Sequence, residues 1–278
     1  MKDKLIILFI SLIIIIILLI WLKWENNSIV ITNIKYTNSK IPNNFNGYKI
    51  LQISDLHSKK FGNNQEILIN KVKKCVPDII VITGDIIDSR HDNFDESLEI
   101  VMDFIKEVAS IIPTYYVVGN HEIRTKKYKE IKQQLVAANV IVLDNENISL
   151  IKDDKSINLI GLADPSYSNN ITTSHLNDKL KKLLNHNSFN ILLSHRPELI
   201  DIYKNNNIDL VFTGHTHGGQ IRLPLIGGIL APGQGLFPKY IDGTYLENNT
   251  TMIVNRGLGT SVVPIRLFNR PEIILLEL

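Results

Sequence analysis

Two histidines one residue apart, His215 and His217, stand in the stretch Gly214-His215-Thr216-His217-Gly218-Gly219-Gln220 of a chain with 8 histidines in all. Four more short clusters carry side chains of the same kind: Asp55-Leu56-His57, Gly84-Asp85, Gly119-Asn120-His121-Glu122 and Ser194-His195. Between them Asp55 and Asp85 offer carboxylates, Asn120 an amide oxygen, and His57, His121, His195, His215 and His217 imidazoles. No thiolate joins the set. Such a mixture of oxygen and nitrogen donors suits more than one divalent ion of the Mn, Fe or Zn type. The His215/His217 pair raises a geometric question, because alternate residues of an extended segment point opposite ways. Both can serve one ion only if the backbone bends, and the flanking glycines permit unusual dihedrals and close approach.

Donors scattered over 160 residues need elements that bring them together. Each cluster directly follows an apolar run, at 50–53, 79–82, 115–118, 191–193 and 210–212. Runs of this length read as buried strands, and in open α/β sheets ligands bind at the carboxyl ends of strands. Strands are expected at 49–54, 79–83, 114–118, 190–194 and 209–213, with shorter ones near 140–143, 149–151 and 158–162. Amphipathic spacing predicts helices at 65–76, 94–110, 124–138 and 173–184. The tail reads as short strands with Gly/Pro turns. A parallel α/β first half passing into a more antiparallel second half predicts a sandwich of two sheets with helices outside. The glycine-broken apolar stretch 223–230, directly after the histidine pair, reads either as a greasy lip to the site or as an ordinary hairpin.

Ahead of this domain, residues 5–22 are aliphatic or aromatic except Ser11. At about 1.5 Å per residue these 18 positions make roughly 27 Å of helix, close to the hydrocarbon thickness of a bilayer. Trp21 and Trp24 stand where an interfacial aromatic belt would, Lys2 and Lys4 supply a positive flank, and no small-x-small cleavage site follows. The expected organisation is a single-pass anchor at 1–24, an Asn-rich connector at 25–46 and one domain at 47–278, with the domain outside the cell membrane. A net charge of +2 with 21% charged residues is too balanced for a nucleic-acid binder. The single cysteine, Cys75, excludes an intramolecular disulfide and any Cys-rich zinc module, and is read as a buried bystander.

In this order, the five clusters resemble the signature blocks of the calcineurin-like metallophosphoesterases. Further stretches, 217–224, 231–235, 256–260 and 264–266, are similar to the membrane-anchored bacterial YkuE/YaeI-type branch of that family. The resemblance implies a four-layer α-β-β-α sandwich of two mixed sheets and a pair of divalent ions. It implies that Asp55, His57, Asp85 and His217 hold one ion, and that Asp85, Asn120, His195 and His215 hold the other, with Asp85 bridging. Hydrolysis of a phosphodiester or pyrophosphate bond by a hydroxide bridging the two ions would follow, with His121 assisting the leaving group. Arg196 and Arg256 are candidates to bind phosphate oxygens. An anchored enzyme makes a lipid-linked substrate an economical extension. Two alternatives stand beside this reading: a phosphomonoesterase or protein phosphatase, and a phosphoesterase-like scaffold without chemistry.

Overall fold

The computed structural model describes residues 2–168, 172–223, 227–261 and 263–278. The expected lip at 223–230 therefore falls partly outside the described residues, as does Pro224 of the 217–224 stretch.

Two six-stranded sheets form the centre. The first contains β1 (Val30–Lys35), β2 (Lys49–Ile53), β3 (Ile79–Ile82), β4 (Thr114–Tyr116) and β5 (Ile141–Val142). The second contains β6 (Glu146–Lys152), β7 (Lys155–Leu162), β8 (Asn190–Ser194) and β9 (Leu210–Thr213). Two small hairpins follow, β10 (Arg222–Leu223) with β11 (Gly227–Gly228) and β12 (Leu230–Ala231) with β13 (Gly235–Leu236). The chain then adds β14 (Gly243–Glu247) and β15 (Thr250–Val254) to the second sheet and returns β16 (Glu272–Glu277) to the first. The first sheet runs β1-β16-β2-β3-β4-β5, the second β14-β15-β9-β8-β7-β6.

Both sheets are mixed. In the first, β2 to β5 are parallel and β16 runs antiparallel to β2. In the second, β7, β8, β9 and β15 are parallel, and only the edge strands β6 and β14 are antiparallel. The second half is thus less antiparallel than its short runs and turns suggested, because β15 pairs alongside β9 instead of folding back on it.

Side-chain alternation sorts each strand between two layers. Ile79 and Val81 of β3 and Leu210 and Phe212 of β9 face one another in a core between the sheets. Ile80 and Ile82 pack outward under α2 (Glu66–Cys75), α3 (Phe94–Ala109) and α5 (Tyr128–Ala137). Leu192 and Val211 pack outward under α6 (Thr173–Leu183) and α7 (Ile200–Asn205). These layers are the α-β-β-α sandwich expected from the sequence. Gln52 is the polar exception between the sheets: its amide donates to Thr83 Oγ1 at 3.0 Å and to the Thr213 carbonyl at 2.8 Å, tying β2 to β9 at the end where the polar clusters lie.

The expected connector at 25–46 is instead part of the domain. Helix α1 (Lys2–Asn27) continues three residues beyond the expected anchor, and β1 follows almost at once as an edge strand parallel to β16. Apolar side chains of α1 from Leu5 to Ile20 are exposed, whereas its last turn is built into the domain. Glu25 is buried and accepts from the Asn269 N–H at 2.7 Å. Asn26 makes a reciprocal pair with the Arg266 backbone, donating to its carbonyl at 3.1 Å and accepting from its N–H at 2.7 Å. Trp21 packs on Phe268 with ring centroids 5.3 Å apart, and the Arg270 guanidinium lies 4.5 Å from the Trp24 ring. Polar residues at 25–28 looked like a linker in sequence because their partners lie some 240 positions away.

Candidate metal centre

The carboxyl ends of β2, β3, β8 and β9 and the loop after β4 converge, and all seven predicted donors are buried there. Three of them, Asp55, His57 and His217, offer donor atoms within 4.8 Å of one another; a second group is Asp85, His195 and His215. Within the first, His57 Nε2 and His217 Nε2 lie 3.2 Å apart and His217 Nε2 lies 3.3 Å from Asp55 Oδ1. Within the second, His195 Nε2 is 3.1 Å from both His215 Nδ1 and Asp85 Oδ2. The groups touch at Asp85, whose Oδ2 is also 3.7 Å from His57 Nε2. Asn120 joins the second group, its amide lying 3.0 Å from His215 Nδ1.

Donor atoms about 2.1 Å from a common ion lie roughly 3.0–3.4 Å from each other in tetrahedral or octahedral geometry, following the usual Zn–N and Zn–O lengths. Four within-group spacings, at 3.1–3.3 Å, match that requirement, and His57 Nε2 to Asp55 Oδ1 is wider at 3.8 Å. Protonation favours it as well. Burial lowers His217 to about 3 and holds His215 well below the usual imidazole range, so both are neutral at pH 7, as ligation demands. Asp55 and Asp85 both sit below the usual carboxylate range: burial works against them, but the surrounding imidazoles outweigh it. His195 goes the other way, to about 10, because Asp85 and Asp55 overcome its burial. Two buried carboxylates thus draw positive charge into the pocket, and the residues present fit divalent ions.

Main-chain geometry explains how donors from separate strands meet. Asp55, His57, Asp85, His215 and His217 all adopt left-handed backbone, with φ between 49° and 71°. For non-glycine residues this costs on the order of 1 kcal/mol or more each and persists only when neighbours over-determine it. Here the Asp55 N–H donates to the Gly84 carbonyl and the His57 N–H to the Asp85 carbonyl, both at 3.0 Å, and the Asp55 carbonyl accepts from Gly259 N–H at 2.6 Å. The glycine beside His215 serves close approach: a Cβ on Gly214 would stand 1.9 Å from Ser54 Oγ and 2.3 Å from Asp55 Oδ2. His215 and His217 fall in different groups, which resolves the question raised by their spacing.

Supporting contacts orient the donors. Ser54 Oγ donates to Asp55 Oδ2 at 2.5 Å, and the His215 N–H donates to the same carboxylate at 3.0 Å. His195 Nδ1 lies 2.7 Å from the Thr83 carbonyl, which fixes the proton there and frees Nε2. Glu122 is fully buried and accepts from the N–H groups of Asp85, Ile87 and Gly119 at 3.0–3.1 Å, clamping two donor loops. Asn269 donates to the His217 carbonyl at 2.6 Å. None of these supports was predicted. Glu122 lies inside one polar cluster and Ser54 directly before another, which is the only signal available, and nothing near Asn269 announces its partner.

His121 lies beside the first group, edge-on to the His57 ring with centroids 4.5 Å apart. The Ser89 N–H donates to its Nδ1 at 3.1 Å, so the neutral ring carries its proton on Nε2. Asp88 lies 3.4 Å from the same Nδ1, but both its oxygens are engaged by Arg90 at 2.7–2.8 Å. The two predicted phosphate-binding arginines are also committed to carboxylates. Arg196 pairs with Asp164 at 2.6 Å and Glu198 at 3.3 Å, and Arg256 pairs with Glu272 at 2.9 Å. Those pairs make both arginines part of the framework, which is not what an open phosphate contact expects.

A four-layer sandwich with a dense oxygen and nitrogen donor set at the strand ends defines the class of metal-dependent phosphoesterases. The chain belongs to the calcineurin-like phosphoesterase family, which it matches over residues 48–219. It is 32% identical over 262 residues to the metallophosphoesterase YkuE of Bacillus subtilis, covering 91% of this chain and 87% of that one. It is 29% identical to the phosphodiesterase YaeI of Escherichia coli, covering 83% and 82% of the two chains. A transmembrane protein with a metallophosphoesterase domain from Bos taurus is 29% identical, over 87% of this chain and 55% of that one.

Proposed function

We propose that this chain is a membrane-anchored, dinuclear metal-dependent hydrolase that cleaves a phosphodiester or pyrophosphate bond. One observation carries the reading: the Asp85 carboxylate stands between two donor groups, 3.1 Å from His195 Nε2 and 3.7 Å from His57 Nε2. Both contacts are made by Oδ2, and a carboxylate oxygen with two lone pairs can serve both sides. Asp55, His57, Asp85 and His217 would hold one ion, and Asp85, Asn120, His195 and His215 the other. When bound, such ions supply Lewis acidity toward phosphate oxygens and a nucleophilic water at neutral pH. Ser54 and the His215 N–H orient Asp55, and the Thr83 carbonyl orients His195. His121, with its proton on Nε2, would stabilise the departing oxygen by donating a hydrogen bond to it. The diester preference draws support from the name of the Escherichia coli relative. Helix α1, long and apolar enough to cross a bilayer, supports the anchor, with the domain on the extracytoplasmic side as the Lys2/Lys4 flank suggests.

The test is metal content per chain together with hydrolysis of bis-p-nitrophenyl phosphate and p-nitrophenyl phosphate, on full-length protein in detergent loaded with Mn, Zn or Fe. Two ions and diester cleavage are expected, with both lost in Asp85→Asn. Full hydrolysis by that variant would remove Asp85 from the bridging position. Cleavage of the monoester alone would move the assignment to a phosphatase.

A further inference from the structure

A cavity of about 360 Å³ is lined in part by the segment that follows the His215/His217 pair and has no part in the chemistry above. One wall is Gly219, Gln220 and Ile221, separated from His217 by Gly218 alone; the others include Ile229, Leu230, Ala231, Leu236 and Val263. Among the described residues its lining is almost wholly apolar. The walls are tied to each other by backbone bonds, Ile229 N–H to the Ile221 carbonyl at 3.1 Å and Phe237 N–H to the Ile229 carbonyl at 2.9 Å. Its size lies within the range of small-ligand sites, about 300–1,000 Å³.

The rim is apolar and open. Leu230 is 50% exposed, Leu236 68% and Phe237 70%. It continues through the bridge between Ile221 and Leu267 to Phe268, itself half exposed, which packs on Trp21 of α1. That bridge and the Phe268–Trp21 contact link the segment lining the cavity to the helix read as the membrane span. Exposed aromatic and aliphatic side chains next to such a helix suit the boundary between headgroups and acyl chains.

We infer that this cavity takes one acyl chain of a bilayer lipid, with the exposed rim seated in the membrane surface, so that the lipid's phosphate end is presented beside His217. The inference deepens the hydrolase reading and draws its meaning from it, but its test does not depend on turnover.

The full chain is reconstituted in phosphatidylcholine vesicles containing a phospholipid with a diazirine at the end of one acyl chain, then irradiated, and adducts are mapped by peptide mass spectrometry. Adducts are expected in two places, on α1 and on the peptides spanning 221–236. In Ala231→Trp, which fills the cavity, the second set falls about tenfold or more while the α1 set is unchanged and serves as the internal control. Because Ala231 is buried, Leu236→Glu on the exposed rim provides an independent variant with the same expected loss. Adducts confined to α1 in the native chain, or adducts at 221–236 that survive both substitutions, overturn the inference. So does a dimer that Leu236→Glu converts to monomer with adducts unchanged, since the patch then belongs to a second copy. Hydrolysis of bis-p-nitrophenyl phosphate by the same samples judges the catalytic reading separately, and native activity is expected to persist in both variants.

Discussion

Asp85 illustrates how little freedom a single side chain has in this site. Its carboxylate faces both donor groups, its N–H is held by Glu122, its Oδ1 accepts from the His121 N–H at 2.8 Å, and its backbone is left-handed. His121→Ala should keep the metals and slow turnover by about 10²-fold or more, as for loss of a general acid. Elemental analysis beside kcat separates this from a structural role, which would cost metal. Gly214→Ala drives a methyl into Ser54 and Asp55; overpacking of this kind costs about 1–3 kcal/mol, and should appear as a lower Tm with reduced metal retention after dialysis. At this scale the sequence discloses chemistry through residue type: carboxylates, amide and imidazoles at strand ends are legible without coordinates. Their orienting partners are not. Glu122 reads as one more polar residue of its cluster until the fold buries it, and Asn269 finds His217 only through a loop closed from the far end of the chain.

Elements were legible where burial is complete. Strands β2, β3, β8 and β9 lie within a residue or so of their expected bounds, because continuous apolar runs leave no other arrangement. Edges were not. Strand β1, with Asn33 and Lys35 facing outward, carries too little apolar pattern to be seen, and the helix expected at 124–138 starts only at Tyr128 as α5, set apart at Lys126, whose φ is 59°, from a short α4 (Asn120–Arg124). Helix α7 was missed because its six residues span less than two turns. The Arg256–Glu272 pair, joining the loop after β15 to the start of β16, gives a prediction about acid. Burial would raise the Glu272 carboxyl, but its hydrogen bond to Arg256, that residue's charge and the Thr32 hydroxyl outweigh it and hold it below its ordinary 4.5. The lowered value contributes stability that is present above about pH 4.5 and lost as pH falls through the folded-state value. Glu272→Gln should therefore cost about 3 kcal/mol at pH 7 by leaving Arg256 unpaired. Below pH 4.5 its Tm should fall less steeply than that of the native chain, in thermal melts between pH 3 and 7.

The whole molecule is a sandwich with a helix fused to it. The apolar helix and the sandwich were both legible, the first from 18 uncharged residues and the second from strand-and-helix alternation. The joint between them was not, because it is made of polar residues whose partners are distant in sequence. It predicts a sharp difference between two truncations. Removing residues 2–20 should leave a chain that hydrolyses bis-p-nitrophenyl phosphate in the absence of detergent, since the exposed span ends there. Removing 2–28 also deletes Glu25 and Asn26, and with them the bonds to Asn269 and Arg266. Each buried group left unpaired costs about 1–3 kcal/mol, and limited proteolysis should cut at 264–270 in the shorter chain alone.

On the proposed anchoring, that joint would also decide how the domain meets a substrate in the bilayer. A catalytic domain on a loose tether sweeps a hemisphere of solution, whereas one clasped to its helix at Trp21, Trp24, Glu25 and Asn26 travels at one height and one tilt. Its search would then be confined to two dimensions, and the concentration that governs encounter would be molecules per unit area of bilayer. Diluting the suspension with buffer would leave the rate on a bilayer-resident substrate unchanged, while diluting that substrate with inert lipid would lower it.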